Sequence, residues 1–137
     1  MQPQLAVSIF IDGGSMTENI LSAITRAAEA ALHVPLMPAP ARGTLPCAAY
    51  RFYPGESDGA MARSRFEVRV FAETPEEAVR ELGALRRSLV SDGDSGALED
   101  ENGTILICES SEGGGAGYVR GCGMYFVKAG FDVSAHA

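Results

Sequence analysis

Residues 64–90 hold the clearest local pattern in the chain, and their sequence is SRFEVRVFAETPEEAVRELGALRRSLV. From position 65 apolar and charged residues alternate, with Phe66, Val68 and Val70 on one face and Arg65, Glu67 and Arg69 on the other. A period of two is typical of a strand with one buried face. The first part of this stretch therefore predicts a half-buried strand.

The strand pattern leads directly into a helix pattern. Thr74 is a good N-cap, Pro75 suits the first helical position, and Glu77 has the spacing of a capping box. The apolar residues that follow recur at helical spacing and share one side: Ala78, Leu82, Leu85 and Leu89. We expect the apolar faces of both elements to form the core: Phe66, Val68, Val70, Leu82, Leu85 and Leu89.

The rest of the chain divides into short patterned segments. Residues 5–11 (LAVSIFI) form a short strand or an apolar arm, and Asp12-Gly13-Gly14 ends it. A capping box at 15–18 opens a helix that reaches about position 32. Residues 35–46, which contain four prolines, are an extended connector. Strands follow at 45–53, 104–110 and 118–133, with an acidic exposed loop at 91–103 and a glycine turn at 111–117.

This order predicts one α+β domain over residues 1–137, with an apolar N-terminal segment at 1–14. Its sheet is expected to be mostly antiparallel, with about four strands and with two helices on one face. The strands at 45–53 and 64–72 are separated by a loop that ends the first with Pro54-Gly55, so we expect an antiparallel hairpin.

The net charge of −7 argues against a surface that grips nucleic acid, since such surfaces cluster Lys and Arg. DNA can still pass beside an acidic protein without adhering. The apolar run at 5–11 is too short to cross a bilayer and has no basic segment ahead of it. We therefore expect no membrane partner and a chain made in the cytoplasm.

The cysteines and histidines do not form a recognisable site. Cys47, Cys108 and Cys122 are widely spaced, lack a CxxC pair and predict neither a zinc site nor a disulfide framework. We expect them to be small core residues with free thiols. His33 lies at a helix end, where a cation meets the helix dipole favourably. We expect no cofactor and no metal.

Two motifs have an alternative interpretation, one as a phosphate-binding site and one as a catalytic metal site. The glycines at 113–117 lead into a strand pattern and lack GK[ST], so they indicate a hairpin turn and not a phosphate site. SIFIDGGSM (8–16) resembles the opening strand and loop of NYN/PIN-like ribonucleases, and LVSDGDSG (89–96) resembles their second acidic loop. In that interpretation Asp12, Asp92 and Asp94 would hold a divalent metal. The preferred interpretation is a turn before a capped helix and a solvated loop.

As a whole the chain resembles the tail terminators (tail completion proteins) of long-tailed bacteriophages. The matching elements are the leading helix at 20–32, the proline connector that delivers a strand at 45–53, FEVRVFAETPEEA at 66–78 and a closing hairpin at 104–133. The resemblance implies a non-enzymatic virion protein at the tail–neck junction, assembled in the host cytoplasm. It implies a homo-hexameric ring that caps the tail tube, ends its polymerisation and joins the tail to the neck.

The partners implied are further copies of the chain, the tail tube protein and a neck or connector protein, while DNA passes through the lumen without specific binding. The alternative within the same class is a neck or head-closure protein. In a ring, the charged strand face offers subunit-interface candidates: Arg65, Glu67 and Arg69. The acidic loop offers candidates for a surface that faces the lumen or the neck: Asp92, Asp94, Glu99, Asp100 and Glu101.

Overall fold

A computed structural model of the chain describes residues 4–40, 43–57, 61–100 and 102–136. Within these ranges the chain forms two helices and six strands. In chain order they are α1 (Gln4–Ala31), β1 (Leu36–Pro38), β2 (Cys47–Ser57), β3 (Met61–Ala72), α2 (Pro75–Leu89), β4 (Ser95–Glu99), β5 (Ile105–Val119) and β6 (Met124–His136).

All six strands belong to one sheet with the order β1-β2-β3-β6-β5-β4. β1 runs parallel to β2, and every other neighbouring pair is antiparallel. The predicted number of about four strands is therefore wrong. The two additional strands are the short edge strands β1 and β4, which lie in the proline connector and in the acidic loop. Their pairing depends on the backbone of β2 and β5, distant in sequence, and not on a local side-chain pattern.

The strand–helix unit at 64–90 is confirmed as the centre of the fold. β3 lies between β2 and β6, and its hairpin with β2 sets Phe52 opposite Phe66. Thr74 Oγ1 accepts a hydrogen bond from the Glu77 backbone N–H at 3.2 Å, which caps α2 as predicted. The six predicted core residues are all buried: Phe66, Val68, Val70, Leu82, Leu85 and Leu89.

Both helices pack on one face of the sheet, and a single apolar core joins them to it. α1 contributes a stripe at helical spacing, Ile20, Ile24 and Ala28, each with 0% exposure. The interpretation of residues 5–11 as a strand is wrong, since α1 continues through them and through Gly13 and Gly14. A strand needs a neighbour to satisfy its backbone groups, whereas a helix satisfies them internally.

The last hairpin turns later than predicted. Residues 111–117 do not form the turn but belong to β5, with a register shift between Ser111 and Gly115 in its pairing with β6. The chain reverses instead after Val119, where Gly121 and Gly123 have φ values of 83° and 62°. These left-handed conformations favour glycine, so the turn falls where the backbone requires it.

Candidate functional site

The outer face is the side of the sheet away from the helices, and it carries the predicted charged stripe. Arg65 is held by several groups: its Nη1 donates to Ser111 Oγ at 2.6 Å, and its Nε donates to Glu67 Oε2 at 3.1 Å. Its Nη1 also lies 4.0 Å from Asp132 Oδ1. The charges of Arg65 and Glu67 therefore compensate each other within the subunit.

A glycine on β6 makes room for this arrangement. Gly130 is the register partner of Glu67 and of Ser111, so it lies between them on the outer face. A Cβ atom at this position would come within 2.6 Å of Arg65 Nη2 and 2.8 Å of Ser111 Oγ. The guanidinium thus occupies the space that a side chain at Gly130 would fill, an example of the close approach that glycines in strands permit.

Beside the stripe lies a groove, which we call the basic groove. It has a volume of about 250 Å³ and is lined by Arg51, Arg69, Glu67, apolar side chains of the sheet and the segment at 39–40. Its floor belongs to a small apolar cluster on the outer face that includes Ala49 and Phe71. Arg69 lies over the Phe126 ring, with Cζ 5.3 Å from the ring centroid. Lys128 is the register partner of Arg69 on β6.

The basic groove has positive charge that its own subunit leaves uncompensated. Within the described part of the chain, no carboxylate oxygen lies within 4.0 Å of the charged groups of Arg51, Arg69 or Lys128. The one acid in the lining, Glu67, is paired with Arg65. Three cations therefore gather on the outer face of a protein whose net charge is −7.

The acidic residues predicted to face a lumen or neck lie at the opposite edge of the sheet. Asp92, Asp94 and Glu99 are exposed, and we call these three residues the acidic edge. Asp100 has a local structural role instead, since its Oδ1 accepts from the backbone N–H groups of Asn102 and Thr104 at 2.8 Å each. Glu101 lies outside the described residues.

The acidic edge is a structured part of the fold and not a bare loop. The Asp94 carbonyl accepts from the Ser110 N–H at 2.8 Å, and the Asp92 N–H donates to the Ser95 carbonyl at 2.9 Å. β4 then continues the sheet beside β5. These backbone bonds fix the three carboxylates at one end of the strand order.

The three aspartates of the ribonuclease alternative lie on elements other than those that the resemblance implies. Asp12 lies within helix α1 and not after a strand, and its side chain is outside the described part of the chain. Asp92 and Asp94 follow α2 and precede an antiparallel edge strand. Among the side chains that the structure describes, no group of three His, Cys, Asp or Glu residues is placed to hold a metal ion.

Of the three cysteines, Cys47 and Cys108 are buried as predicted, whereas Cys122 is exposed in the β5–β6 turn. All three are free thiols. Burial raises the pKa of the Cys108 thiol to about 12, because the apolar surroundings disfavour the thiolate. Cys122 departs from the core prediction because the positive-φ glycines on either side of it place the turn at that position.

His33 follows the end of α1 and contacts a buried carboxylate of α2. Its backbone N–H donates to Glu81 Oε1 at 2.7 Å, and its Nδ1 lies 3.3 Å from Glu81 Oε2. Glu81 is only 6% exposed. The pair links the two helices. It also explains why Glu81, a charged residue, lies on the otherwise apolar buried side of α2.

Arg51 and Lys128 were not singled out from the sequence, although Arg51 lines the basic groove and Lys128 lies next to Arg69 on β6. Arg51 carries a partial signal, since it alternates with apolar residues in the β2 segment AAYRFY. Lys128 lies opposite Arg69 only because β6 pairs with β3, a contact between residues 59 positions apart (128 minus 69). Local periodicity contains no information on such pairing.

The likeness of the chain to known proteins lies in its fold. No protein-family model and no curated protein matches the chain. Among solved structures, a chain of the "Virion of native gene transfer agent (GTA) particle" is similar, with a TM-score of 0.63 and 14% sequence identity. The likeness covers 88% of this chain and 96% of that chain. At this identity it shows a shared fold. Within the described residues, no helix is long and apolar enough to cross a membrane.

Proposed function

We propose that the protein is a structural component of a phage-like virion, and that within the virion it is a tail terminator. In this role six copies form a ring that caps the tail tube, ends its polymerisation and joins the tail to the neck. We assign no catalytic step and no cofactor to it. The site of action is the tail–neck junction, and assembly takes place in the host cytoplasm.

The observation that carries this proposal is the extent of the fold likeness. A chain from a gene transfer agent virion shares the fold over 96% of its own length and over 88% of this one. A likeness of this extent goes beyond a common supersecondary motif. The sequence resemblance to tail terminators, which rests on the same succession of elements, favours that position in the virion.

The sheet offers a physical reason for ring assembly. It ends in two short strands, β1 with three residues and β4 with five. Exposed strand edges invite pairing with other chains, and closed assemblies remove them. A head-to-tail contact between identical subunits generates a ring when the rotation closes, and a closed ring is a natural end point for a polymerising tube.

The charge of the protein suits a passage for DNA. With a net charge of −7 per subunit, six subunits carry −42, and DNA is repelled from a surface of the same sign. A lumen lined by such subunits lets DNA slide without specific binding. In the ring, the Arg65–Glu67 pair and Arg69 are proposed to lie at the contact between subunits.

Light scattering and electron microscopy of the purified protein test the proposal. A terminator should give a ring near 86 kDa, six times 14.4 kDa, and the rings should bind the ends of tail tubes. A ring that binds the head connector but not the tube would assign the protein to the neck. A species that stays monomeric at assembly concentrations, with tubes present, would contradict both roles.

A further inference from the structure

The basic groove and the acidic edge have opposite charge and lie toward opposite edges of one sheet. The groove cations Arg51 and Arg69 are on β2 and β3, whereas the acidic edge flanks β4. In the sheet order β2 is four strand spacings from β4 and β3 is three, which amounts to about 14–19 Å. That separation exceeds the Debye length of about 8 Å at physiological salt, so the two surfaces do not neutralise each other within a subunit.

We propose that the acidic edge of one subunit binds in the basic groove of the next copy, and that this contact closes the ring. The inference rests on the proposed function, because it names the surface by which the ring assembles. Complementary surfaces at two ends of one subunit define a head-to-tail interface, in which each copy uses its edge on one neighbour and its groove on the other.

The groove has the chemistry to receive carboxylates. Arg51 and Arg69 present planar guanidinium groups, which bind carboxylates with two parallel hydrogen bonds. Phe126 holds the Arg69 guanidinium against its ring, with Cζ 5.3 Å from the centroid. Because Arg69 is already partly ordered, it loses less conformational entropy when it binds a carboxylate. The apolar floor gives the neighbour a surface to cover, and charged pairs around it fix the register.

The charge of the Arg65–Glu67 pair explains why the groove selects an acid. If Glu67 were unpaired it would neutralise one of the groove cations, but Arg65 engages it through both Nε and Nη2 at 3.1 Å. Arg65 and Glu67 thus lie at the contact as positioning residues for the groove, and the neighbour's carboxylates are bound by Arg51, Arg69 and Lys128. This assignment places the acids between subunits and not in the lumen.

Charge reversal on each side tests the contact. The groove variant combines Arg51→Glu with Arg69→Glu, and the edge variant combines Asp92→Lys with Asp94→Lys. Each should raise the protein concentration needed for half-assembly at least about tenfold, because like charges then face each other. Mixed in equal amounts, the two variants should assemble again, since an acidic groove then meets a basic edge and a basic groove meets an acidic edge. Native mass spectrometry should show rings with strictly alternating subunits.

Two control variants carry the same change in net charge on the helices, away from the groove and the edge. Arg26→Glu with Arg80→Glu reverses two exposed cations of the helices, and Glu18→Lys with Glu29→Lys reverses two exposed acids of α1. Both control variants should assemble like the wild type. Circular dichroism checks the fold of every variant. If a reversal variant does not fold, Arg51→Gln with Lys128→Gln and the salt dependence of wild-type assembly provide the same test, with weaker assembly expected in each.

The outcomes separate this inference from the proposed function. A wild-type protein that forms no ring contradicts the proposed function itself. A wild-type ring whose groove and edge variants both assemble normally contradicts only the groove–edge contact. A groove variant that assembles but no longer retains duplex DNA would make the groove a DNA surface. An edge variant that assembles but slows DNA passage would return the acids to the lumen, and a closed dimer would exclude the head-to-tail geometry.

Discussion

The two faces of the sheet differ in what their residues do. On the helix-covered face, Phe66, Val68, Val70, Phe131 and Val133 are each at most 1% exposed and belong to one apolar core. On the outer face the same strands carry charges, glycines and a shallow groove. The inner face therefore determines the fold, whereas the outer face holds polar groups whose arrangement the fold does not require. We therefore expect the functional surface on the outer face.

The inner face should show the largest energetic effects. Phe66 has 0% exposure, and its ring packs against Tyr50 with 5.6 Å between centroids. Phe66→Ala is expected to lower the free energy of unfolding by about 3–5 kcal/mol, since it removes buried area and leaves a cavity. Urea unfolding at a fixed protein concentration measures it. Tyr53→Ala on β2, where the side chain is 45% exposed, is the control and should cost less than about 1 kcal/mol. Equal losses would contradict the distinction between the faces.

Packing is also strict at Gly130 on the outer face. Gly130→Ala should cost about 1–3 kcal/mol, because the new Cβ displaces the Arg65 guanidinium from Glu67 and Ser111. Gly115→Ala, on the paired strand, is the matched control: a Cβ there meets nothing within 4 Å, and no loss is expected. Both free energies of unfolding come from urea titration.

A double-mutant cycle shows whether Arg65 is the cause. In an Arg65→Ala background, Gly130→Ala should lose most of its cost, since only the Ser111 hydroxyl, a group that can rotate away, then lies close to the new Cβ. A Gly130→Ala penalty that is unchanged without Arg65 would mean that Ser111 or the backbone, and not the guanidinium, requires glycine. The comparison of the two faces would then need revision at this position.

The core face was predictable because its signal is local. Phe66, Val68 and Val70 alternate with charged residues, and the N-cap Thr74 precedes a helix with leucines at the correct spacing. Both patterns depend on neighbours within a few residues. The strand and helix that they predicted are present, and their buried residues are the expected ones.

Strand β4 and the second half of β5, which were not predicted, had no such signal. β4 lies in an acidic, glycine-containing segment, and Gly96 is needed because a Cβ there would overlap the Leu89 carbonyl oxygen at the end of α2. The glycines of β5 present no side-chain period, and part of the space above them is filled from the next strand, where the Phe126 ring covers Gly117. Both strands depend on partners that are distant in sequence. For the same reason the pairing of Lys128 with Arg69 was not foreseen.

A thiol on the inner face should make stability depend on pH. The pKa of Cys108 is about 12 in the folded protein, against 9.0 for an ordinary thiol. Between pH 9 and 12 the unfolded chain loses the proton and the folded chain keeps it, so the free energy of unfolding falls as pH rises. The contribution is at most about 1.4 kcal/mol per pH unit. Cys108→Ala should therefore show a shallower slope than wild type.

The control for this effect is the exposed thiol. Cys122→Ala should leave the alkaline slope unchanged, since that side chain lies exposed in the turn and not in the apolar core. Urea unfolding at pH 9, 10 and 11 gives the slopes of the three proteins. Identical slopes for wild type and Cys108→Ala would show that Cys108 ionises as easily in the folded protein as in the unfolded one.

The smallest change in the free energy of unfolding is expected for Ser64→Ala, and Ser111→Ala on the opposite face is its comparison. Ser64 is buried on the inner face, and its Oγ has no hydrogen-bond partner among the described residues, whereas Ser111 Oγ accepts from Arg65 on the outer face. Ser64→Ala removes a desolvated hydroxyl and should change the free energy of unfolding by less than about 0.5 kcal/mol, or raise it. Ser111→Ala, which removes the acceptor of a charged donor, should cost about 1–2 kcal/mol. If Ser64→Ala costs as much as Ser111→Ala, the Ser64 hydroxyl has a partner in solution, and the inner face is less strictly apolar than the core implies.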